Sequence, residues 1–183
     1  MIKIHCTKKL IDALTIDEAG GLKPKIRPQM AEKLPQSGIT PLNHWHGHHF
    51  SIQRSPCVFL VHDATRFSLF IPNIKKADLC NLDYYFQDAV MNTIMKLGAD
   101  ERLMDKAYSL IHRLQFDTEV NRSVQGSMNQ MIQELKWHLH GVEVRDLLGY
   151  RQNVWFSERP CTVKGLKDAI WPGKEFVALL NRL

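Results

Sequence analysis

The sequence lacks a long apolar run, closely spaced cysteines and a secretion signal. None of its apolar runs approaches the length that crosses a bilayer. Its four cysteines form no C-x-x-C pair, so we interpret them as buried or idle thiols rather than disulfides. The first residues, MIKIHCTKKL, carry charges where a signal peptide needs an apolar centre. We therefore expect a cytoplasmic protein with no membrane partner.

Complete catalytic motifs are missing as well. Serine, histidine and aspartate all occur, but no G-x-S-x-G segment arranges them as a hydrolase triad. The segment EAGGLKPK contains glycines without the spacing of a phosphate-binding loop. No nucleic-acid-binding motif is recognisable. Motifs alone therefore identify no reaction.

What is present is the composition of an ordinary globular domain. The chain has 183 residues, of which 44% are hydrophobic and 23% are charged, a size that fits one domain with a substantial core. The net charge of +5 is not concentrated in a polybasic tail. Any attraction to phosphate must therefore come from a patch that folding assembles.

The periodicity of apolar residues predicts a single α+β domain over residues 1–183. Alternation in MIKIHC predicts a strand, and WHGHHFSIQ, CVFLVHD and RFSLFIP predict an antiparallel meander. Helical stripes follow in NLDYYFQDAVMNTIMKLG, DERLMDKAYSLIHRL and SVQGSMNQMIQELKWHLH, with a brief strand in LQFDTEV. The Pro/Gly-rich segment 15–43 is predicted to be a long surface loop and the least ordered part of the chain. We expect an antiparallel sheet of about four or five strands packed against three or four helices.

The segment NHWHGHHF is the strongest candidate for chemistry. On a strand, His44, His46 and His48 would project to one side about 7 Å apart, a geometry in which a pair can chelate zinc. The alternative is that these histidines decorate a solvent-facing strand beside Trp45. His62, Asp63, His5 and Cys57 are conceivable further ligands from neighbouring strands, but nothing in the sequence places them there. We therefore favour no metal cofactor and keep zinc as the alternative.

The second candidate is TEVNRSVQGSMNQ, where an amphipathic helix is predicted to begin. Ser123 occupies the predicted N-cap, and Asn121 and Arg122 beside it could grip a phosphate or carboxylate at the helix N-terminus. The more common use of such a serine is to cap its own helix. Asn129, in a polar stripe of the same helix, could also face a ligand.

Beyond these patterns, the chain resembles domain of unknown function 6933, a family of small bacterial proteins, several of them from mobile elements. The resemblance rests on IHCTKKL, on Trp45 leading into SIQRSPCVFLVHDAT, on NRSVQGSMNQ and on the late ERPC segment. At residues 44–49 the histidines replace more aromatic and aliphatic residues, which counts against a family-wide metal site. The family has no established activity. A common site would be expected at Asn121, Arg122, Ser123, Gly126, Ser127 and Asn129, with Thr7, Lys8 and Lys9.

Together these observations predict a non-enzymatic binding or regulatory protein. It would recognise an anionic ligand, a nucleic acid or a protein partner, and the sequence does not indicate its oligomeric state. The residues expected to bind are Asn121, Arg122, Ser123, Asn129, Lys8 and Lys9. The alternative is a metal-dependent hydrolase that uses the histidine-rich strand 44–49.

Overall fold

One five-stranded sheet lies at the centre of the molecule. The computed structural model describes residues 1–23, 40–111, 113–163 and 165–183. Within these ranges the strands run in the order β4-β3-β2-β1-β5. They are β1 (Ile2–Cys6), β2 (His44–Ile52), β3 (Ser55–His62), β4 (Ser68–Ile71) and β5 (Leu114–Asp117). The predicted α+β class and the predicted strand number are confirmed.

The sheet is mixed rather than antiparallel. Strands β2, β3 and β4 form the predicted antiparallel meander. Strand β1, however, pairs in parallel with both of its neighbours, so that Ile4 lies opposite Trp45 on one side and Phe116 on the other. The prediction of an antiparallel sheet is wrong for these two pairings. Short turns join β2, β3 and β4. Long connections precede β2 and β5, so each of these two strands can run parallel to β1.

Helices cover both faces of the sheet. They are α1 (Lys8–Ile11), α2 (Leu82–Lys96), α3 (Glu101–Leu110), α4 (Arg122–His138), α5 (Tyr150–Ser157) and α6 (Pro172–Arg182). The described ranges thus contain six α-helices rather than three or four. The sequence YRQNVWFS of α5 gave no apolar stripe because the helix buries polar side chains. One of them, Asn153, accepts a hydrogen bond from the Phe70 backbone amide at 2.6 Å.

Two apolar cores divide the buried residues between the faces. On the first face, Trp45 is fully buried and packs edge-on against Phe86 of α2 and Phe176 of α6. On the second face, α4 packs against β2 to β4 through five buried side chains, Val124, Met128, Met131, Ile132 and Leu135. The β1 and β5 part of the second face instead carries polar residues, Lys3, His5, Gln115 and Asp117. Folding therefore places a polar surface beside α4.

The prediction for segment 15–43 falls largely on residues 24–39, which lie outside the described residues. Of the described flank, Gly21 forms an isolated bridge with Gln115 of β5, and Ile16 forms another with Leu22. No helix in the described ranges is long and apolar enough to span a bilayer.

Candidate functional site

Strand β2 supplies histidines to two separate pockets on the second face of the sheet. His44 lies opposite Lys3 and His46 opposite His5, so His44, His46 and His48 project to one side, as predicted. Gly47 between them faces the first core, where an added Cβ would lie 2.7 Å from Leu10 Cδ2 of α1. Glycine therefore lets α1 approach β2 closely. The three histidines nevertheless do not converge, because His48 belongs to a different pocket from the other two.

The first of these pockets, here called the histidine pocket, is a small cavity of about 310 Å³. It lies between the start of β2 and the connection from β5 to α4. Its lining residues are His5, His44, His46, Asp63, Glu119, Val120, Asn121 and Arg122.

A chain of hydrogen bonds links Asp117, His5 and His44 in the histidine pocket. His5 Nδ1 lies 2.6 Å from Asp117 Oδ1, and His5 Nε2 lies 3.0 Å from His44 Nδ1. The His5 ring is almost completely buried, whereas the His44 ring is only partly buried. Residue His5 therefore connects a carboxylate to a histidine that reaches the cavity.

Asp117 is held in its ionised form by its neighbours. Desolvation raises the pKa of this carboxyl, but hydrogen bonds from the His5 ring and the Glu119 amide outweigh it, with help from the charges of His5 and Lys3. The pKa therefore lies below its ordinary value. Lys3 Nζ is 3.9 Å from the second carboxylate oxygen.

His46 makes a different pair of bonds in the same cavity. Its Nδ1 lies 2.8 Å from Asp63 Oδ1, and its Nε2 accepts the Asn121 backbone N–H at 2.9 Å. A carboxylate only accepts hydrogen bonds, so Nδ1 carries the proton and Nε2 is the acceptor. Both ring nitrogens of His46 are thereby engaged.

The predicted zinc ligands are divided by these contacts. A zinc ion on His44, His46 and His48 would require His46 to lose one of its two partners, and His48, whose Nδ1 lies 2.8 Å from Thr7 Oγ1, lines the other pocket. In the described residues, the set of three potential ligand atoms within 4.8 Å of one another comes from His5, Asp117 and Glu119. The cofactor prediction is not decided by this geometry.

The N-terminus of α4 borders the histidine pocket. Asn121 is the N-cap, and its side chain accepts hydrogen bonds from the Ser123 and Val124 amides at 3.0 and 3.3 Å. The prediction that Ser123 is the N-cap is wrong, since Ser123 lies in the first turn and its Oγ accepts from Arg66 Nη2 at 3.2 Å. Both residue types favour caps, and the Asn121 amide is fixed in place by His46.

The second pocket, here called the lysine groove, is a wider cavity of about 750 Å³. Lysines enter it from three elements: Lys9 from α1, Lys76 from the connection between β4 and α2, and Lys136 from α4. The remaining lining residues are Asp12, Ala13, His48, His49, Phe50, Ser51, Asn129, Ile132 and Gln133.

The lysine groove is electropositive. Among the described residues its one lining carboxylate, Asp12, lies 3.6 Å from Lys8 Nζ, a lysine outside the lining. Burial lowers the pKa of His48 below its ordinary value, and the charges of Lys9, His49 and Lys136 lower it further. Burial and Lys9 act on His49 in the same direction. Both rings are therefore neutral at pH 7, and the charge of the groove comes from its lysines.

Comparison with protein families places the chain. A family model described as Domain of unknown function (DUF6933) matches residues 3–175. The chain belongs to this family. The match extends from β1 into α6 and includes every residue that lines the two pockets. A comparison with curated proteins finds no match.

In this DUF6933 chain, the predicted anion-binding residues do not lie together in one pocket. Lys9 and Asn129 line the lysine groove, whereas Asn121 and Arg122 line the histidine pocket. Lys8 pairs with Asp12, and Ser123 with Arg66. Sequence reasoning missed three of the residues that build the pockets, Lys76, Lys136 and Asp117. Asp117 and Lys136 flank the segment TEVNRSVQGSMNQ without belonging to it, and Lys76 lies far from both candidate motifs in the sequence.

Proposed function

We propose that this protein binds an anionic ligand in the lysine groove and acts as a binding or regulatory protein. The observation that carries the proposal is the convergence of Lys9, Lys76 and Lys136 around one cavity. The three ammonium groups come from three separate elements, so no single helical or strand pattern accounts for their proximity.

Unpaired like charges in one cavity favour a counter-ion. In the described residues, no carboxylate lies within 4.0 Å of the ammonium groups of Lys9, Lys76 or Lys136. A bound anion about 4 Å from one of these ammonium groups would be attracted to it by roughly 1 kcal/mol in water and roughly 4 kcal/mol near a protein surface.

The dimensions of the lysine groove favour an organic anion over a single inorganic ion. Its volume of about 750 Å³ lies within the roughly 300–1,000 Å³ that is usual for small-molecule sites. The rings of His48 and Phe50 are nearly parallel, at 9° and 5.8 Å between centroids, and offer a flat surface. Asn129 and Gln133 supply amide donors and acceptors. A phosphate-bearing ligand of nucleotide size suits this lining.

The test is titration calorimetry with pyrophosphate, a nucleoside diphosphate and a short single-stranded oligonucleotide at two salt concentrations. The variant Lys9→Gln/Lys76→Gln/Lys136→Gln should weaken binding at least tenfold and reduce its salt dependence. The matched control changes three exposed lysines outside the groove, Lys23→Gln, Lys96→Gln and Lys167→Gln, and should weaken binding less than twofold. Equal losses in the two variants would mean that net charge, not the groove, attracts the anion.

The order of the measured affinities distinguishes a small-molecule ligand from a nucleic-acid partner. A small molecule is supported if the nucleoside diphosphate binds more tightly than pyrophosphate and at least as tightly as the oligonucleotide. A nucleic-acid partner is supported if the oligonucleotide binds more tightly by tenfold or more. The bacterial, mobile-element and cytoplasmic context implied at the level of sequence stays a prediction.

The rival function is a metal-dependent hydrolase, for which the proximity of His5, Asp117 and Glu119 is the supporting observation. Elemental analysis of protein purified without a histidine tag tests it. Our proposal expects no stoichiometric metal and the same thermal melting curve with and without a chelator. A stoichiometric transition metal, or a large loss of stability on chelation, would favour the hydrolase.

A further inference from the structure

We propose that the histidine pocket is a proton-transfer site. His44 acts as the general base, and His5 and Asp117 are positioning residues that stabilise the proton His44 takes up. The ligand is a small protic molecule without negative charge, such as an alcohol or a water molecule. This inference concerns a different cavity from the lysine groove and does not depend on anion binding there.

The hydrogen bonds assign the proton positions in the resting pocket. Asp117 is ionised and only accepts, so His5 Nδ1 donates to it across 2.6 Å. With His5 neutral, its Nε2 is an acceptor and takes the N–H of His44 Nδ1 across 3.0 Å. His44 Nε2 then carries a lone pair, and in the described residues no group hydrogen-bonds to it.

Proton uptake can be passed along this chain with balanced charge. When His44 Nε2 takes a proton from a hydroxyl group, His44 becomes an imidazolium and the hydroxyl becomes an oxyanion. The Nδ1 proton of His44 can then move to His5 Nε2. The positive charge now lies on His5, next to the Asp117 carboxylate, and His44 is neutral with its proton on Nε2. The carboxylate thereby lies next to the positive charge that the proton transfer creates.

His46 cannot take this role, although its ring faces the same cavity. Its Nδ1–H donates to Asp63, and its Nε2 is occupied by the Asn121 amide. Protonation of Nε2 would remove the acceptor that holds Asn121, the N-cap of α4. His46 therefore supports the wall of the pocket, and His44 is the histidine with an available nitrogen.

The charges of the histidine pocket select against anions. Three carboxylates, Asp63, Asp117 and Glu119, surround the histidines, against the cations Arg122 and Lys3. The cavity of about 310 Å³ is at the lower end of the usual range for ligand sites. A small neutral molecule with a dissociable proton fits both its size and its charge.

The first test is nitrogen-detected NMR of histidine-labelled protein. At pH 8, His44 should show a protonated Nδ1 and an unprotonated Nε2. Asp117→Asn should reduce the fraction of His44 in this tautomer at least twofold, because an amide can either donate to or accept from His5 Nδ1, and Asp117→Glu should restore part of it.

Asp63→Asn is the matched control. It removes a carboxylate from the same cavity, but this carboxylate contacts His46 rather than His5. The Asp63 control should change the His44 tautomer by less than half the Asp117→Asn change. Equal changes would mean that the contact between Asp117 and His5 does not orient the chain, and would overturn the relay.

The second test uses the unaltered protein and so does not depend on variants that fold. Diethyl pyrocarbonate attacks an imidazole nitrogen that carries a free lone pair. Mass spectrometry should find His44 modified at least tenfold faster than His46. Comparable rates for the two histidines, or a His44 that is protonated on Nε2 at pH 8, would contradict the proposal.

Discussion

Two histidines on one face of β2, His46 and His48, lie in opposite chemical surroundings. His46 is 1% exposed and bonded on both ring nitrogens, within a cavity rich in carboxylates. His48 is half-buried, bonded to Thr7 and surrounded by lysines. The residue type and the strand are the same in both cases. The difference shows that the neighbouring elements, not the histidine run itself, decide what each histidine can do.

The neighbours differ because β1 ends between the two pockets. His5 is the second-last residue of β1; its side chain lines the histidine pocket and hydrogen-bonds to Asp117 of β5. After Cys6 the chain turns into α1, and Lys9 then reaches the lysine groove. His5, which contacts an acid, and Lys9, which lines the lysine groove, are thus only four positions apart in the sequence.

The largest expected effect separates His46 from His48. His46→Phe leaves the Asp63 carboxylate and the Asn121 amide without their partner, and we expect it to lower the free energy of unfolding by roughly 4 kcal/mol. His48→Phe removes one bond to Thr7 from a half-buried ring and should cost about 1 kcal/mol. Urea denaturation of both variants measures the difference. Equal costs would show that the two histidines are equivalent structural residues.

The next largest effect on stability should come from His62, which lies in a third environment, the first apolar core. His62 is completely buried; Thr65 Oγ1 lies 2.8 Å from Nδ1 and the Pro41 carbonyl 2.9 Å from Nε2. Burial lowers the pKa of His62 to about 4, despite the opposing effect of the Pro41 hydrogen bond. The unfolded chain takes up this proton near pH 6.5, so stability is fully present above that pH. It should fall by about 3 kcal/mol as the pH decreases from 6.5 through 4.

The measurement is the free energy of unfolding as a function of pH, with the His62 titration followed by NMR. His48 and His49 also have lowered pKa values and add to the same loss, so the NMR signal isolates His62. A midpoint near 6.5 for His62 in the folded protein would contradict its burial in the neutral form.

The smallest expected effect concerns the start of α4. Asn121→Ala removes the side chain that accepts from the Ser123 and Val124 amides, and should cost about 1 kcal/mol. Arg122→Ala is the control, because this exposed residue lines the histidine pocket without a hydrogen bond in the described residues. Its cost should stay within roughly 0.5 kcal/mol. Denaturant melts that show the reverse order would make Arg122 a structural residue.

Sequence patterns predicted the elements better than their arrangement. Alternation identified β1 and the meander, and apolar stripes identified α2, α3 and α4, because burial of one face imposes these periods directly. No local sequence pattern indicates the parallel pairing of β1 with β2, since this pairing depends on the connection formed by residues 7–43. The stripe signal also failed for α5, in which Gln152, Asn153 and Ser157 are buried together with Phe156.

For the candidate sites, the sequence indicated the region but not the groups that meet there. The histidine run lines both pockets, and Asn121 and Arg122 line the histidine pocket. Their partners come from distant positions, however: His5 and Asp117 are 112 residues apart, and His46 and the Asn121 amide 75 apart. The lysine groove depends in the same way on Lys76 and Lys136. Such contacts follow from strand register and helix packing, which a single sequence does not specify.

The separation of the two pockets is tested most directly by titrating pyrophosphate into histidine-labelled protein and observing the ring nitrogens by NMR. The account predicts that the signals of His48 and His49 move with saturable dependence on pyrophosphate, because their rings line the lysine groove. The signals of His5, His44 and His46 should stay within a small fraction of that shift. Saturable movement of His5 and His44, with His48 and His49 unchanged, would place the anion in the histidine pocket and contradict the account.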